Sequence, residues 1–547
     1  MVYLSVIERY VVFAYLFCML GIFPLFYKEQ YYKIGNAKFD FFWKVSLGFI
    51  GISLVCFVIK QILQRIIQRD FCKKKTWIKD TEIEEQNFKN FFWNFLDGLS
   101  TLDYAVFIYG ICVLLSYAFS DFKDYALKGA AGWQMGLCSQ MIFVAAYFIL
   151  SRQSKVARST LWIHLITSVI TFILGILHRF DIDPLGMYVG LNLHQKIEFL
   201  STIGQATWFS SYVCTVFAIG VAVFYISNNK WIRIVTGIYS VISFGILVTQ
   251  NSDSAFVAIA GVMLLLGFFS LNDIKKWCRF WQTMCLMWGT FGGIGILQRT
   301  FADRAIPLDS LSIFFSQSAM TWVMLFFSVG MLCFYTKINK KEPNQIPKVM
   351  KNTKNVCKGL CAILAAVIVL AILFIYLNTK GYLLEWFGYQ STHQYLFFDY
   401  HWGNNRGFIW MICWQSFVNL PWFQKLFGVG PDSLSAYLYS VPDISDFLHN
   451  LLGSTRLTNA HNEYLNSLIC YGIVGVVSWL AVLIGGIKHF YDKAKENPIM
   501  IAFALCIVGY ACHNIFCYQQ VCCTPFLFIA LGIGESLTKS ENFNTIK

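Results

Sequence analysis

Fourteen apolar runs recur along the 547 residues, and most are close to the ~20 residues a helix needs to cross hydrocarbon. They cover 10–27, 45–59, 102–119, 133–150, 160–177, 208–226, 234–249, 254–270, 281–297, 319–335, 359–377, 464–487, 499–518 and 521–537. A lipid-embedded chain must satisfy its backbone polar groups internally, which excludes open strands and selects helices. Charged residues are only 13% of the chain, about half of the ~25% usual in soluble proteins, so most of its surface cannot face water. The expectation is an all-α, polytopic membrane bundle of about 12 to 14 transmembrane helices.

Loop charge sets the orientation. With the N-terminus inside and the runs alternating, the inner segments hold 29 Lys and Arg and the outer ones 13, although the outer segments are longer. Both termini are therefore expected in the cytoplasm. The net charge of +13 then reflects orientation against anionic lipid and does not suggest nucleic acid. The start, "MVYLSVIERYVVFAYLFCMLGIF", has no small-residue cleavage site and reads as an uncleaved first span. The 18 cysteines lie mostly inside apolar runs and imply no disulfide framework. "CHNIFCYQQVCC" lacks Cys-x-x-Cys spacing and reads as helix packing, so no metal site is expected.

Between the runs 359–377 and 464–487 lies an outer segment, 378–460, too long for a mere connector. It divides the chain into N-terminal spans (1–200), central spans (201–377), a large extracytoplasmic loop (378–460) and C-terminal spans (461–547). The loop holds His393, His401 and His449, and residues 406–419 read as an amphipathic helix lying on or dipping into the outer surface. Its four cations (Lys380, Arg406, Lys425, Arg456) nearly balance five acids, so an anion site there would rest on individual arginines.

"NNRGFIWMICWQSFVNLPWFQKLFGVGPDSL" followed by "NAHNEYLNSLICYGIVGVVSWL" resembles the signature of the O-antigen ligase and polymerase superfamily. The matching residues are Arg406, Ile409, Trp410, Pro421, Gly428, Gly430, His461, Asn462, Tyr464, Leu465, Gly472 and Gly475. A weaker likeness extends over roughly 200–535. The resemblance implies the helical fold of C-type glycosyltransferases and transfer of glycan from a polyprenyl-pyrophosphate carrier to a hydroxyl on a glycan or lipid-anchored acceptor. It also implies operation without metal or other cofactor, with arginines holding the pyrophosphate. At the position where many members have Arg, this chain has Asp253, so a second cation would have to come from Arg299, Arg304 or Arg456, or be absent.

The chemistry is consistent with those positions. A polyprenyl pyrophosphate carries its charge at the head-group level, where His461 precedes a span. Imidazole suits removal of an acceptor proton near neutral pH. A guanidinium forks onto two phosphate oxygens, and Arg406, expected at the start of its helix, could share the anion with exposed N–H groups. Asn462, Trp410, Asp253 and His513 are the further candidates for binding carrier or glycan. Each has a plainer reading: His461 as a helix cap, Arg406 stacked on Trp410, His513 held by one buried hydrogen bond. Glu463 reads as interfacial decoration, Gly472 and Gly475 as helix packing, and Asp181 with Asp183 in "HRFDIDP" as turn structure. A flippase for polysaccharide or lipid-linked oligosaccharide is the competing function. It should show deep charges and repeated halves, and neither is evident here.

Overall fold

A computed structural model describes residues 2–73, 98–132, 134–152, 158–393 and 395–539. Among these residues the architecture is all helical apart from one two-rung antiparallel ladder, Phe199–Leu200 with Gly204–Gln205. Among the described residues, nine helices are long and apolar enough to cross a membrane. Four shorter apolar helices, Leu137–Leu150, Ser254–Ser270, Met500–His513 and Thr524–Thr538, accompany them. The protein is thus an all-helical polytopic membrane protein, as expected, with the long and shorter apolar helices of the described residues together making up the bundle. The short helices escape the length requirement because protein covers them. Met500–His513 and Thr524–Thr538 are buried along nearly their whole length.

Burial follows composition. Ala206–Ile226 is apolar all round, is enclosed, and packs against Lys230–Thr249 and Met500–His513. By contrast Ile346–Thr379 leaves Val367, Val369 and Ile372 exposed, as a lipid-facing helix does. Polar side chains set the helix ends: Ser100 and Asp103 form a reciprocal capping box, and Asp273 accepts from two N–H groups of the first turn of its helix. At that same end of the bundle Asp103 is fully buried yet meets Arg152 at 3.0 Å and Lys539 at 2.8 Å. Glu535 meets Lys539 at 3.0 Å and His489 at 2.9 Å. These pairs tie Thr101–Ala118, the end of Leu137–Leu150, Glu463–Lys493 and Thr524–Thr538 together. Each buried carboxylate keeps a second cation when one is removed, so a single loss costs less than the about 3–5 kcal/mol of stranding a buried charge.

Two departures from the expected spans shape the site. The apolar run 499–518 does not continue as a helix past His513. Residues 514–523 form a non-helical segment, buried for most of its length, before the Thr524 helix begins. Such backbone is tolerated at depth only inside protein, and here Asn514 O accepts from Glu463 N at 3.0 Å. "CHNIFCYQQVCC" is therefore mostly a buried loop, not a packed helix; the described cysteines are all free.

The second departure lies in Glu463–Lys493, which breaks at Gly472 (φ 69°, ψ −173°). A side chain there would strike the Leu426 carbonyl, and one at Gly428 (φ 78°) would strike that of Cys470. The two glycines let a turn of the large loop lie directly on the opened helix. Val429 N and Gly430 N then donate to Ile469 O and Cys470 O at 2.9 and 3.0 Å. Gly472 thus serves a helix opening, where ordinary helix packing was expected.

Candidate active site

The segment 378–460 is largely helical: Tyr382–Phe387, Trp402–Asn419, Trp422–Phe427, Leu434–Ser440 and Pro442–Leu452. The helix expected at 406–419 starts four residues earlier, at Trp402, with Gly403 (φ 58°) and Asn405 (φ 64°) left-handed in its opening turn. Arg406 therefore does not begin the helix. Its Nη1 donates to the Gly403 carbonyl at 2.9 Å, and the guanidinium lies over the Phe516 ring, 5.8 Å from its centroid. Nε is buried without a hydrogen-bond partner. Burial lowers the Arg406 pKa from its usual value, opposed by Cys517 and Asp253. A half-buried cation with unspent donors is a receptor for an anion.

His461 sits outside the helix that follows it. Asn462 is the cap, accepting from Leu465 N at 2.9 Å, so the cap role weighed for His461 belongs to its neighbour. His461 has a left-handed backbone (φ 47°), which costs a non-glycine residue about 1–3 kcal/mol and must be held by its surroundings. The supports are local: His461 N donates to Asn459 Oδ1 at 3.0 Å and Ala460 N to Asn466 Oδ1 at 3.2 Å. The imidazole stands edge-on to Tyr518, with centroids 5.4 Å apart. Among the described residues it has no hydrogen-bond partner. Burial, and secondarily the Arg406 charge, lowers its pKa to about 4. At neutral pH the ring is uncharged and carries a free lone pair.

Trp410 places its indole between these two residues. Its N–H donates to Ala460 O at 3.2 Å, and the ring stacks on Phe516 with centroids 6.1 Å apart. The polar atom that would have met a ligand is thus committed to the loop before His461. His513 is likewise committed: Nε2 meets Ser210 Oγ at 2.8 Å and Nδ1 meets Asn514 Oδ1 at 3.3 Å. Glu463 corrects its reading as decoration. It is 1% exposed, and its carboxylate receives Gln519 N and Ser467 Oγ. The 514–523 segment thus supplies the floor of the site, with Phe516 under Arg406 and Tyr518 beside His461. Neither residue was singled out in the sequence, where Asn, Tyr and paired Gln inside the apolar run were the available sign of a break.

Asp253 lies beside the same cation. It precedes the Ser254–Ser270 helix but its side chain caps nothing. The residue as a whole is exposed, yet the carboxyl is surrounded by enough protein to lose much of its hydration. That loss, then Asp309, raises its pKa to about 6, with Arg406 opposing. Two hydrogen bonds bring Asp309 there: Asn251 Nδ2 to Pro307 O (2.8 Å) and Asp309 N to Asn251 Oδ1 (3.0 Å). Tyr395 senses Asp253, Asp309 and Arg406 together. Of the cations considered for the missing arginine, Arg299 is bound to Gln317 and Arg456 to Ser435 and the Tyr439 ring, while Arg304 is exposed.

The remaining candidates stay local. Asp183 accepts from Met187 N and Tyr188 N, and Asp181 pairs with Lys196 at 2.6 Å, as turn structure requires. His449 meets Ser445 O one turn back, and His401 meets Asn405.

Arg406, Trp410 and His461 thus come together from a loop helix and the mouth of a span. Residues 305–480 match the family described as O-antigen ligase. The matched stretch is about a third of the chain and is similar to that family. No curated protein matches the chain. The matched stretch includes Arg406, Trp410, the Gly428–Gly472 contact and His461. It ends before the 514–523 floor and begins after Asp253. The match supports an O-antigen ligase-type, polysaccharide-processing membrane protein and, in general terms, a glycosyl-transferring one.

Proposed function

We propose that the protein transfers glycan from a polyprenyl-pyrophosphate carrier to a hydroxyl of a glycan or lipid-anchored acceptor, at the outer face of a bacterial plasma membrane. The observation that carries this reading is the pairing of a half-buried guanidinium having unspent donors with an uncharged imidazole that nothing else occupies.

Arg406 receives the pyrophosphate. Its forked donors gain strength as the leaving group gathers charge. His461 takes the acceptor proton as the hydroxyl oxygen attacks the anomeric carbon and the bond to pyrophosphate breaks. An imidazole with a pKa of about 4 is a weak base in the empty site. A bound pyrophosphate would offset the Arg406 charge that helps to depress it. Carrier binding therefore strengthens the base at the moment of use. Asp253 and Asp309 stand where they can accept from sugar hydroxyls, and Asn462 keeps its amide N–H groups for the same purpose.

The test uses the full-length protein in liposomes with carrier-linked repeat units. Ladders from carrier-linked substrate alone mean polymerisation, whereas product only after addition of a separate acceptor means ligation. No transfer under either condition, with carrier-linked substrate moving across the membrane instead, would reject the enzyme reading. A cysteine placed at Ser445 should react from outside without permeabilisation, since the mechanism needs the 378–460 segment there.

A further inference from the structure

A small buried cavity borders the His461 turn. Asp432, Asn459, Glu463, Asn466, Tyr518 and Gln519 are among its lining residues, and more of its wall is polar than apolar. Its volume is about 10 Å³, roughly the room that one water needs. Two of these residues hold the turn: Asn459 Oδ1 accepts from His461 N and Asn466 Oδ1 from Ala460 N. Asp432 is fastened elsewhere in the fold through Oδ2, which accepts from Ala130 N and Met135 N.

Hydrogen-bonding capacity is left over around this space. Asp432 is only 8% exposed, yet Oδ1 has no hydrogen-bond partner among the described residues. Glu463 accepts from Gln519 N and, at a long 3.3 Å, from Ser467 Oγ. With its oxygen turned to Ala460, Asn466 has only the Cys470 thiol, 3.9 Å away, for Nδ2. Buried polar groups in native proteins are paired with protein or with ordered water. Neither acid pairs with a lysine, arginine or histidine among the described residues. The titratable groups that face them, Tyr109, Tyr125, Tyr471, Tyr518 and Cys470, are uncharged at neutral pH. Burial keeps the proton on Asp432 up to about pH 7, so this carboxyl offers an O–H. A cation would meet the positive ends of that donor and of the Asn466 amide. A water accepts from both and donates to Glu463, about three bonds, the usual number for a buried water.

We propose that one water occupies this cavity, accepting from Asn466 Nδ2 and the Asp432 carboxyl and donating to Glu463, and that through it Asp432 positions the His461 turn. The left-handed backbone of His461 must be held against its strain, and the bonds from Asn459 and Asn466 are local. The water joins them to the segment 130–135, so the turn cannot relax without breaking bonds made far along the chain. Its bearing on transfer rests on His461 being the base, whereas its bearing on the turn does not.

The experiment uses the full-length protein in nanodiscs. A cryo-EM map fine enough to show ordered water should place one peak within hydrogen-bonding distance of Asp432, Glu463 and Asn466; this measurement stands even where a variant fails to fold. Two further readouts follow His461: its carbethoxylation by diethyl pyrocarbonate, which needs no substrate, and single-turnover transfer from the carrier-linked repeat. Asp432→Ala and Asn466→Ala each remove one partner of the water along with a separate backbone acceptor. Each should raise carbethoxylation, because a loosened turn exposes the ring, and should slow transfer while carrier affinity is kept. The separate losses multiply in the double variant, whereas the shared water is lost only once. The combined effect should therefore fall short of the product by about 2-fold or more. Asp432→Asn, whose amide N–H takes over the donation, should restore both readouts. A map without that peak, effects that multiply in full, or no recovery in Asp432→Asn would each overturn the proposal. Incomplete multiplication in carbethoxylation with unchanged transfer would uphold the braced turn and remove His461 as the base.

Discussion

The indole N–H of Trp410 donates to the backbone carbonyl of Ala460, the residue immediately before His461, at 3.2 Å. This bond ties the helix that presents Arg406 to the loop that presents His461. The Arg406 guanidinium and the His461 imidazole are thereby held by one shared element, so a change to either can be read against a fixed partner.

His461→Ala should retain carrier binding and lose transfer by about 10²- to 10⁴-fold, the range for loss of a positioned base. The measurement is single-turnover transfer alongside carrier affinity in the same preparation. A folded variant that transfers at the original rate would remove the base from the mechanism.

Arg406→Ala should weaken both affinity and rate, because a phosphate contact exists in the ground state and strengthens toward the transition state. Arg406→Lys should recover part of the loss, since an ammonium keeps the charge but not the fork. Recovery to the full original rate by lysine would exclude a bidentate contact.

Asp253 gives carrier binding a pH dependence. Its carboxyl is raised to about 6, so it is charged above that pH and neutral below it. A negative charge facing Arg406 opposes pyrophosphate, so affinity should rise as pH falls through about 6. His461, lowered to about 4, stays neutral over that interval. Asp253→Asn should bind with the affinity of the low-pH form throughout. An affinity that is flat between pH 5 and pH 7 in the unmodified protein (roughly a unit either side of the midpoint) would contradict this.

Asp432 gives stability a separate pH dependence. It is 8% exposed, and one carboxyl oxygen accepts from Ala130 N at 2.7 Å and Met135 N at 3.0 Å. Burial raises its pKa to about 7, although those two bonds oppose the rise. The unfolded value is about 3.9, so the folded state holds the proton more tightly. Its contribution to stability is therefore complete below pH ~4 and is lost as pH rises through about 7. Asp432→Asn should keep an acceptor for both N–H groups and flatten the melting temperature against pH. Asp432→Ala leaves both donors buried and unpaired and should destabilise by about 1–3 kcal/mol. A steeper alkaline loss in the Asn variant would refute the assignment.

The spans and the large loop were legible in the sequence because both are set by hydropathy, which the membrane imposes directly. Arg406 and His461 were legible through the order of their neighbours. The end of the helix at His513 was not, because Asn514, Gln519 and Gln520 are scattered in an otherwise apolar run and do not by themselves mark a helix end. What breaks that helix is tertiary: Glu463 offers both a backbone donor and a buried acceptor to the segment. The nearness of Asp253 and Asp309 was equally hidden, because it depends on Asn251 gripping a loop far along the chain. Asn462 could have been assigned as the cap on residue type alone; the histidine signature drew the reading one residue too early.

Phe516 and Tyr518 also have a consequence for how the protein is made. Chains emerge from the ribosome N-terminus first, at about 5–20 residues per second, so Arg406 and His461 are in place seconds before the rings that complete their surroundings. During that interval the Glu463 backbone N–H and carboxylate have no partner from the C-terminal segment, and the guanidinium has no aromatic face beneath it. Under the proposed mechanism Arg406 and His461 therefore stay unfinished until residues 514–523 have been made, and a product stopped before residue 514 should be inert.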